Sequence, residues 1–292
     1  MATLKDIKRR IKAVQNTSQI TKAMKMVAAS KLRRTQGRMM DLRPYADMMF
    51  EVISTLARLG DVELHPLLAK RPRGKVEVLV ITSDRGLCGA FNTNILRAAN
   101  NFIKELEAQH FKVGVSTVGR KAADFYKRRS IPVRSGWGGL SGKIRYENAQ
   151  QIATDLSENY INETFDEVFL VYNEFKSVVA QKVVVKRLLP FASPEAEQSV
   201  SAGESQFADF IFEPSARTVY ERLIPKAIEI EIYRALLESQ TSEEAARMSA
   251  MENASKNAED MIQRLTLVAN KVRQATITRE LMDIVGGVEA LK

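Results

Sequence analysis

Several stretches of this sequence hold residue types that could do chemistry. The run Gly136-Trp137-Gly138-Gly139-Leu140-Ser141-Gly142-Lys143 has the glycines and the closing lysine of a phosphate-cradling loop. Its spacing is wrong: five residues separate Gly136 from Gly142 where that loop needs four, and Ile144 stands where a magnesium-binding Ser or Thr should follow. The turn Ser83-Asp84-Arg85-Gly86-Leu87-Cys88-Gly89 holds no G-x-G-x-x-G and so carries no dinucleotide fingerprint. Cys88 has Arg85 nearby but no histidine close in sequence, and reads as a small packed thiol rather than a nucleophile. One cysteine forms no internal disulfide, which fits a reducing compartment. With only His65 and His110 beside it, it does not make the four N/S ligands of a structural zinc site. Asn162-Glu163-Thr164 fits a glycosylation acceptor, which has meaning only in a secreted protein. No catalytic constellation emerges, and no cofactor or metal is expected.

The elements that would position these residues are of two kinds. Residues 1–36 and residues 226–285 contain neither glycine nor proline, whereas nine of the 14 glycines fall between Gly74 and Gly142. Sixty breaker-free residues make a helix of roughly 90 Å at about 1.5 Å per residue. That length points to a rod or a strand of a coiled coil, the alternative being a long core helix of a bundle. Leu4, Ile7, Ile11, Val14, Ile20, Met24 and Val27 form one apolar stripe at helical spacing. Gly37 and Pro44 are places where this helix could bend or stop, but Met48, Val52, Thr55 and Leu59 carry the pattern on. The C-terminal arm repeats the pattern with Ile228, Ile232, Ala235, Ile262, Leu265, Val268, Val272 and Ala275, and its 245–258 stretch is rich in Ala, Ser and Asn. Small residues there allow close approach of two helices and a slim rod.

Between the arms, strands and helices alternate: strands at 75–82, 112–118, 166–174 and 178–189, and helices at 93–109, 120–129 and 146–162. This pattern predicts an α/β layer with a mainly parallel sheet. The organisation expected is a helix over 1–59, a linker at 60–74, the α/β domain over 75–190, a linker at 191–213 and a second long helix over 214–292.

The net charge of +9 on 292 residues is concentrated in one place. Residues 1–40 carry eleven Lys and Arg against Asp6 alone, and the rest of the chain is close to neutral. A basic helical arm suits nucleic acid, an anionic membrane surface or an acidic groove in a protein. The arm contains no Phe, Tyr or Trp, which argues against single-strand stacking. A transit peptide is also basic and acid-poor, but the helical pattern runs past any cleavage point. No secretory h-region and no run of about 18 uncharged apolar residues is present, so no direct membrane span is expected.

The termini carry a resemblance. The run Ile20-Thr21-Lys22-Ala23-Met24-Lys25-Met26-Val27-Ala28-Ala29-Ser30-Lys31-Leu32 resembles the γ subunit of F-type ATP synthases. So does Asn270-Lys271-Val272-Arg273-Gln274-Ala275-Thr276-Ile277-Thr278-Arg279-Glu280-Leu281, and Asp84-Arg85-Gly86-Leu87-Cys88-Gly89-Ala90-Phe91-Asn92 is similar to that family's turn after its first strand. The long cysteine-bearing insertion of light-regulated chloroplast members is missing, as in ordinary bacterial members. The resemblance implies an antiparallel coiled coil of the two terminal helices beside the α/β domain. It implies the central rotor shaft of a proton-translocating F-type ATP synthase, itself non-catalytic and without cofactor or metal. The implied partners are three α and three β subunits around the shaft, the ε subunit and the c-ring, with no nucleic acid. The implied location is peripheral, at the cytoplasmic face of the bacterial inner membrane.

Roles transfer only by motif match. Arg273 and Gln274 match the pair that hydrogen-bonds a loop of one β subunit, and Met24 matches the shaft methionine near β. Arg247, Ile277, Thr278 and Asp283 match positions tied to the same coupling region. The apolar end formed by Leu281, Ile284, Val285, Val288 and Leu291 is expected to run in an apolar sleeve.

Overall fold

A β-branched run without polar alternation makes a strand buried on both faces. In the computed structural model of the chain, Lys75–Ile81 (β1) is such a strand, with every residue but Lys75 buried. The structure describes residues 3–58, 65–69, 71–72, 74–178, 180–191 and 215–289, and the backbone alone at 54–58, 216–217, 220, 283 and 286–289. The sequence expectation for the 191–213 linker falls almost wholly outside these residues.

In chain order the elements are helix α1 (Leu4–Arg58), β1, helix α2 (Phe91–Ala108), strand β2 (Lys112–Val118), helix α3 (Arg120–Lys127), strand β3 (Gly136–Trp137), helix α4 (Tyr146–Ile161), strands β4 (Glu167–Phe175) and β5 (Gln181–Leu189), and helix α5 (Ala216–Glu289). The chain divides into two compact units, Met1–Ala29 with Arg247–Lys292, and Ser30–Ala246. Helix α1 continues past Gly37 and Pro44, and α5 contains Pro225 near its start. At the head of α1, Thr3 and Asp6 form a reciprocal cap: the Asp6 amide donates to Thr3 Oγ1 at 3.3 Å, and the Thr3 amide donates to Asp6 Oδ2 at 3.1 Å.

The second unit holds the sheet, in the order β3-β2-β1-β4-β5. Strands β3, β2, β1 and β4 pair in parallel, and β5 lies antiparallel on β4. The mainly parallel sheet expected from the strand–helix alternation is therefore present. Strand β3, two residues long, was not expected from the sequence.

Alternation along β1 sends Val76, Val78 and Val80 to one face, where they join Val115, Val171, Ile95, Ala99, Ile103, Ala122 and Tyr126 in a buried core under α2 and α3. On the other face Glu77 is only 2% exposed. Its carboxylate accepts from the Ser116 hydroxyl and, at 3.0 Å, from Arg134 Nε, while Arg134 donates to both Asp155 oxygens of α4 at 3.2 and 2.6 Å. A Cβ on Gly114 would run into the Glu77 carboxylate, so the absent side chain makes room for the buried charge. Burying that charge is tolerable because Arg134 and Ser116 meet it together.

Gly119 joins β2 to α3 with φ +90°, and a Cβ there would collide with the Thr82 carbonyl. Replacing Gly119 by Ala combines left-handed strain with a backbone clash and should cost about 3 kcal/mol. Urea unfolding of the chain should show a lower midpoint with an unchanged slope.

Candidate functional site

In the first unit the two helices run antiparallel, and their contacts fix the register. Thr21 Oγ1 and Ser255 Oγ lie 2.7 Å apart, Lys22 Nζ is 2.6 Å from Glu259 Oε1, and Lys25 pairs with Glu252. As numbers rise on one helix they fall on the other. The same register brings Ile7 level with Ala269, and both are buried. Continued further, it places the start of α1 level with residue 273. Beyond that point α5 runs on without α1 beside it to Glu289, about 25 Å at 1.5 Å per residue.

That register explains the exposure of the tip. Every residue from Arg273 to Met282, and Ile284 and Val285 after it, is exposed. Ile277 is 49% exposed, Leu281 58% and Ile284 64%, and with Val285 they form one stripe at spacings of four, seven and eight. Arg273, Gln274, Ile277 and Thr278 therefore share a bare single-helix segment, where the Thr278 hydroxyl donates to the Gln274 carbonyl at 3.0 Å. Met24 is half-buried on the paired part of α1, and Arg247 is buried at 9% exposure. The structure thus places Arg273, Gln274, Ile277 and Thr278 on an exposed tip, and Met24 and Arg247 within the helix pair. Asp283 lies in α5 with its side chain outside the described set, as does that of Val288, and Leu291 lies beyond the described residues.

The second unit holds a group of contacts that sequence reasoning missed. Asp84, at the start of the turn after β1, accepts backbone N–H bonds from Arg120 at 3.0 Å, Gly139 at 2.9 Å and Ser141 at 2.9 Å. The Asp84 amide donates to Ser141 Oγ at 3.2 Å, and that hydroxyl donates to Glu243 of α5 at 3.4 Å. Burial pushes the Asp84 carboxyl up, but the N–H groups of Ser141, Gly139 and Arg120 outweigh it and hold it below the usual carboxylate range. Nearby, Arg38 of α1 donates to the Ile144 carbonyl at 2.6 Å and to the Tyr233 hydroxyl at 2.7 Å, and Tyr146 donates to Glu229. The glycine-rich run that failed as a phosphate loop is a strap binding the sheet to α1 and α5.

The crevice at the carboxyl ends of parallel strands, on a helix N-terminus, is where an α/β sheet ordinarily takes a phosphate. Here the N-terminus of α3 is already occupied by the Asp84 carboxylate. Across the ends of β1 and β2 the space left against Leu236, Ser239, Gln240 and Glu243 is about 20 Å³. That volume admits a water and excludes a nucleotide.

A family model described as ATP synthase matches residues 3–291. Over its whole length the chain is 47% identical to the ATP synthase gamma chain of Geotalea daltonii, which it covers completely. The chain belongs to the γ-subunit family of F-type ATP synthases. Among solved structures, a chain from the central stalk and c-ring of the Tetrahymena thermophila mitochondrial ATP synthase is 31% identical, with a TM-score of 0.58 over 81% of this chain and 99% of that one. A chain of the Euglena gracilis mitochondrial ATP synthase in rotational state 3 shares the fold at a TM-score of 0.66 and 23% identity, over 99% of this chain and 94% of that one. The family, the fold class and the rotor-shaft role implied by the terminal motifs stand. As a γ-family member the chain is a subunit of an ATPase complex. The signal that would have found the strap was an aspartate opening the turn after a strand, but its partners lie 36 to 57 residues away in sequence.

Because Asp84 is held in its charged form by folding, its contribution is complete above the ordinary carboxylate value of 3.8 and is lost as pH falls below it. Asp84→Asn should lower stability at neutral pH by about 1 kcal/mol, the low end for charge-assisted bonds at a part-exposed group. The difference from the unaltered chain should shrink as pH falls below 3.8 in pH-resolved urea titrations.

Proposed function

We propose that the bare end of α5 turns inside a ring of three α and three β subunits, and that the α/β unit meets the ε subunit and the c-ring. The observation that carries this reading is the single-helix tip: slim, apolar along one stripe and lined at its base by Arg273 and Gln274. An uncovered stripe of this kind is a liability in water and an asset in an apolar sleeve. The chain contributes no nucleotide-binding side chain of its own, a reading supported by the Asp84 carboxylate on α3 and the filled crevice. No helix among the described residues is long and apolar enough to cross a membrane, and in this reading the chain is peripheral, at the cytoplasmic face.

The basic arm then faces protein. Part of its charge is answered within the chain, by Glu259 on Lys22, Glu252 on Lys25 and Glu244 on Lys31. Lys5, Lys8, Arg9, Arg10 and Lys12 are exposed and remain for an acidic surface of the surrounding subunits. The assembled complex should accordingly show no duplex-DNA binding that disappears when these five are neutralised, as read by a gel-shift titration at low salt.

Arg273 and Gln274 set the angle at which a β-subunit loop rests, and Met24, Arg247, Ile277, Thr278 and Asp283 belong to the same coupling region. One charge crossing 100 mV releases about 2.3 kcal/mol, so several ions per step deliver on the order of 10 kcal/mol. A charge-assisted hydrogen bond is worth about 1.5–3 kcal/mol, so no one contact carries the torque. Replacing Arg273 and Gln274 together by Ala should slow ATP turnover several-fold while the complex still assembles. Met24→Lys should impair ATP-driven proton pumping more than assembly. Full turnover and full pumping by the double Ala variant would remove the pair from this role.

A further inference from the structure

Apart from the shaft and the strap, the α/β unit has a groove of about 360 Å³ on the side where α2 and α3 cover the sheet. Arg97, Asn100, Asn101 and Lys104 of α2 line one wall, with Phe125 of α3 and Arg129 on the other, and no acidic residue lines it. Arg97, Asn101, Lys104 and Arg129 are exposed. The Arg129 guanidinium lies over the Phe125 ring at 3.6 Å, which fixes one cation on an apolar floor. Among the described residues neither Arg97 nor Lys104 has an ion pair.

The spacing of these cations selects the ligand. Arg97 and Lys104 are seven residues apart on α2, so they share a face to within about 20° and stand about 10 Å apart along the axis. That backbone spacing matches two carboxylates seven residues apart on a facing helix. The groove is concave, with Asn100 and Asn101 between the cations to pair with polar side chains, which favours a protein segment over a flat membrane surface. We infer that this groove docks an acidic helix of a partner protein, with two carboxylates on Arg97 and Lys104 and a third anionic or aromatic contact at Arg129. The inference goes beyond the rotor reading and does not depend on it.

The test places a photo-crosslinking benzoylphenylalanine at Asn101 in the chain within its native complex, followed by mass-spectrometric identification of the linked peptide. The expected product is a peptide with acidic residues at a seven-residue spacing. Its yield should fall at least 10-fold in Arg97→Glu/Lys104→Glu, fall less in Arg97→Gln/Lys104→Gln, and return when the two partner acids are changed to Lys in the charge-reversed chain. Both substituted residues sit on an exposed helix face, and co-purification with the complex checks that each variant is folded. No linked peptide, a linked lipid, a link within the same chain, an acid-poor segment, or a yield indifferent to charge reversal would each overturn the inference. Full turnover and pumping by the Arg273→Ala/Gln274→Ala chain, with the cross-link intact, would count against the coupling reading alone.

Discussion

The second unit is organised around one costly arrangement: a stretch of α5 buried on all sides that nevertheless carries carboxylates. Residues 227–232 and 235–245 are buried without a break, and Glu229, Glu231, Glu238, Glu243 and Glu244 lie among them. An unmatched buried charge costs several kcal/mol, so the surrounding elements are constrained to meet each one. Lys186 of β5 reaches Glu231 at 2.7 Å, Lys31 of α1 lies 3.6 Å from Glu244, and Arg234 donates to Glu238 at 3.0 Å. The Ser141 hydroxyl covers Glu243, while Tyr146 and Lys226 share Glu229. The matching at Glu238 is incomplete. Burial pushes its carboxyl above the ordinary value of 4.5 and the charges of Glu174 and Glu231 add to that, while Arg234 pulls it back. Folding therefore favours the protonated form there, and this group's contribution improves as pH falls toward 4.5. A greasy helix would tolerate rotation about its axis in such a sheath; one whose Glu229, Glu231, Glu243 and Glu244 are met from other elements has a single seating.

The same seating removes a binding site. Laying α5 across the ends of β1 and β2 fills the crevice that α/β sheets commonly leave open, and Asp84 places an anion where a phosphate would go. A fold with the layout of a nucleotide binder is thereby converted into a mounting for a rod.

Much of this was legible in residue order. The β-branched runs gave β1, β2, β4 and β5, and the glycine-free and proline-free arms gave α1 and α5, because both signals are local. Pro44 was weighed as a possible stop, yet α1 runs through it. Strand β3 was invisible: two residues, Gly136 and Trp137, show no periodicity, and only pairing with Thr117 and Val118 makes them a strand. The Asp84 strap was missed for the same reason, since its donors are backbone amides far along the chain whose identity leaves no mark in composition. The tip residues were assigned by motif match alone. Their common exposure follows from the register of two helices, which depends on where α1 begins relative to residues of α5 some 270 positions later.

The end of α1 near residue 273 of α5 also has a mechanical meaning. Along the paired stretch, relative twist of the helices is opposed by contacts at a lever arm from the axis, such as Thr21 on Ser255 and Lys25 on Glu252. Past the start of α1 those cross-links stop, and a twisting load passes through the backbone hydrogen bonds of one helix about 10 Å across. Torsional stiffness therefore steps down at that level. Under a twisting load the segment from residue 273 onward is the more compliant part of this unit.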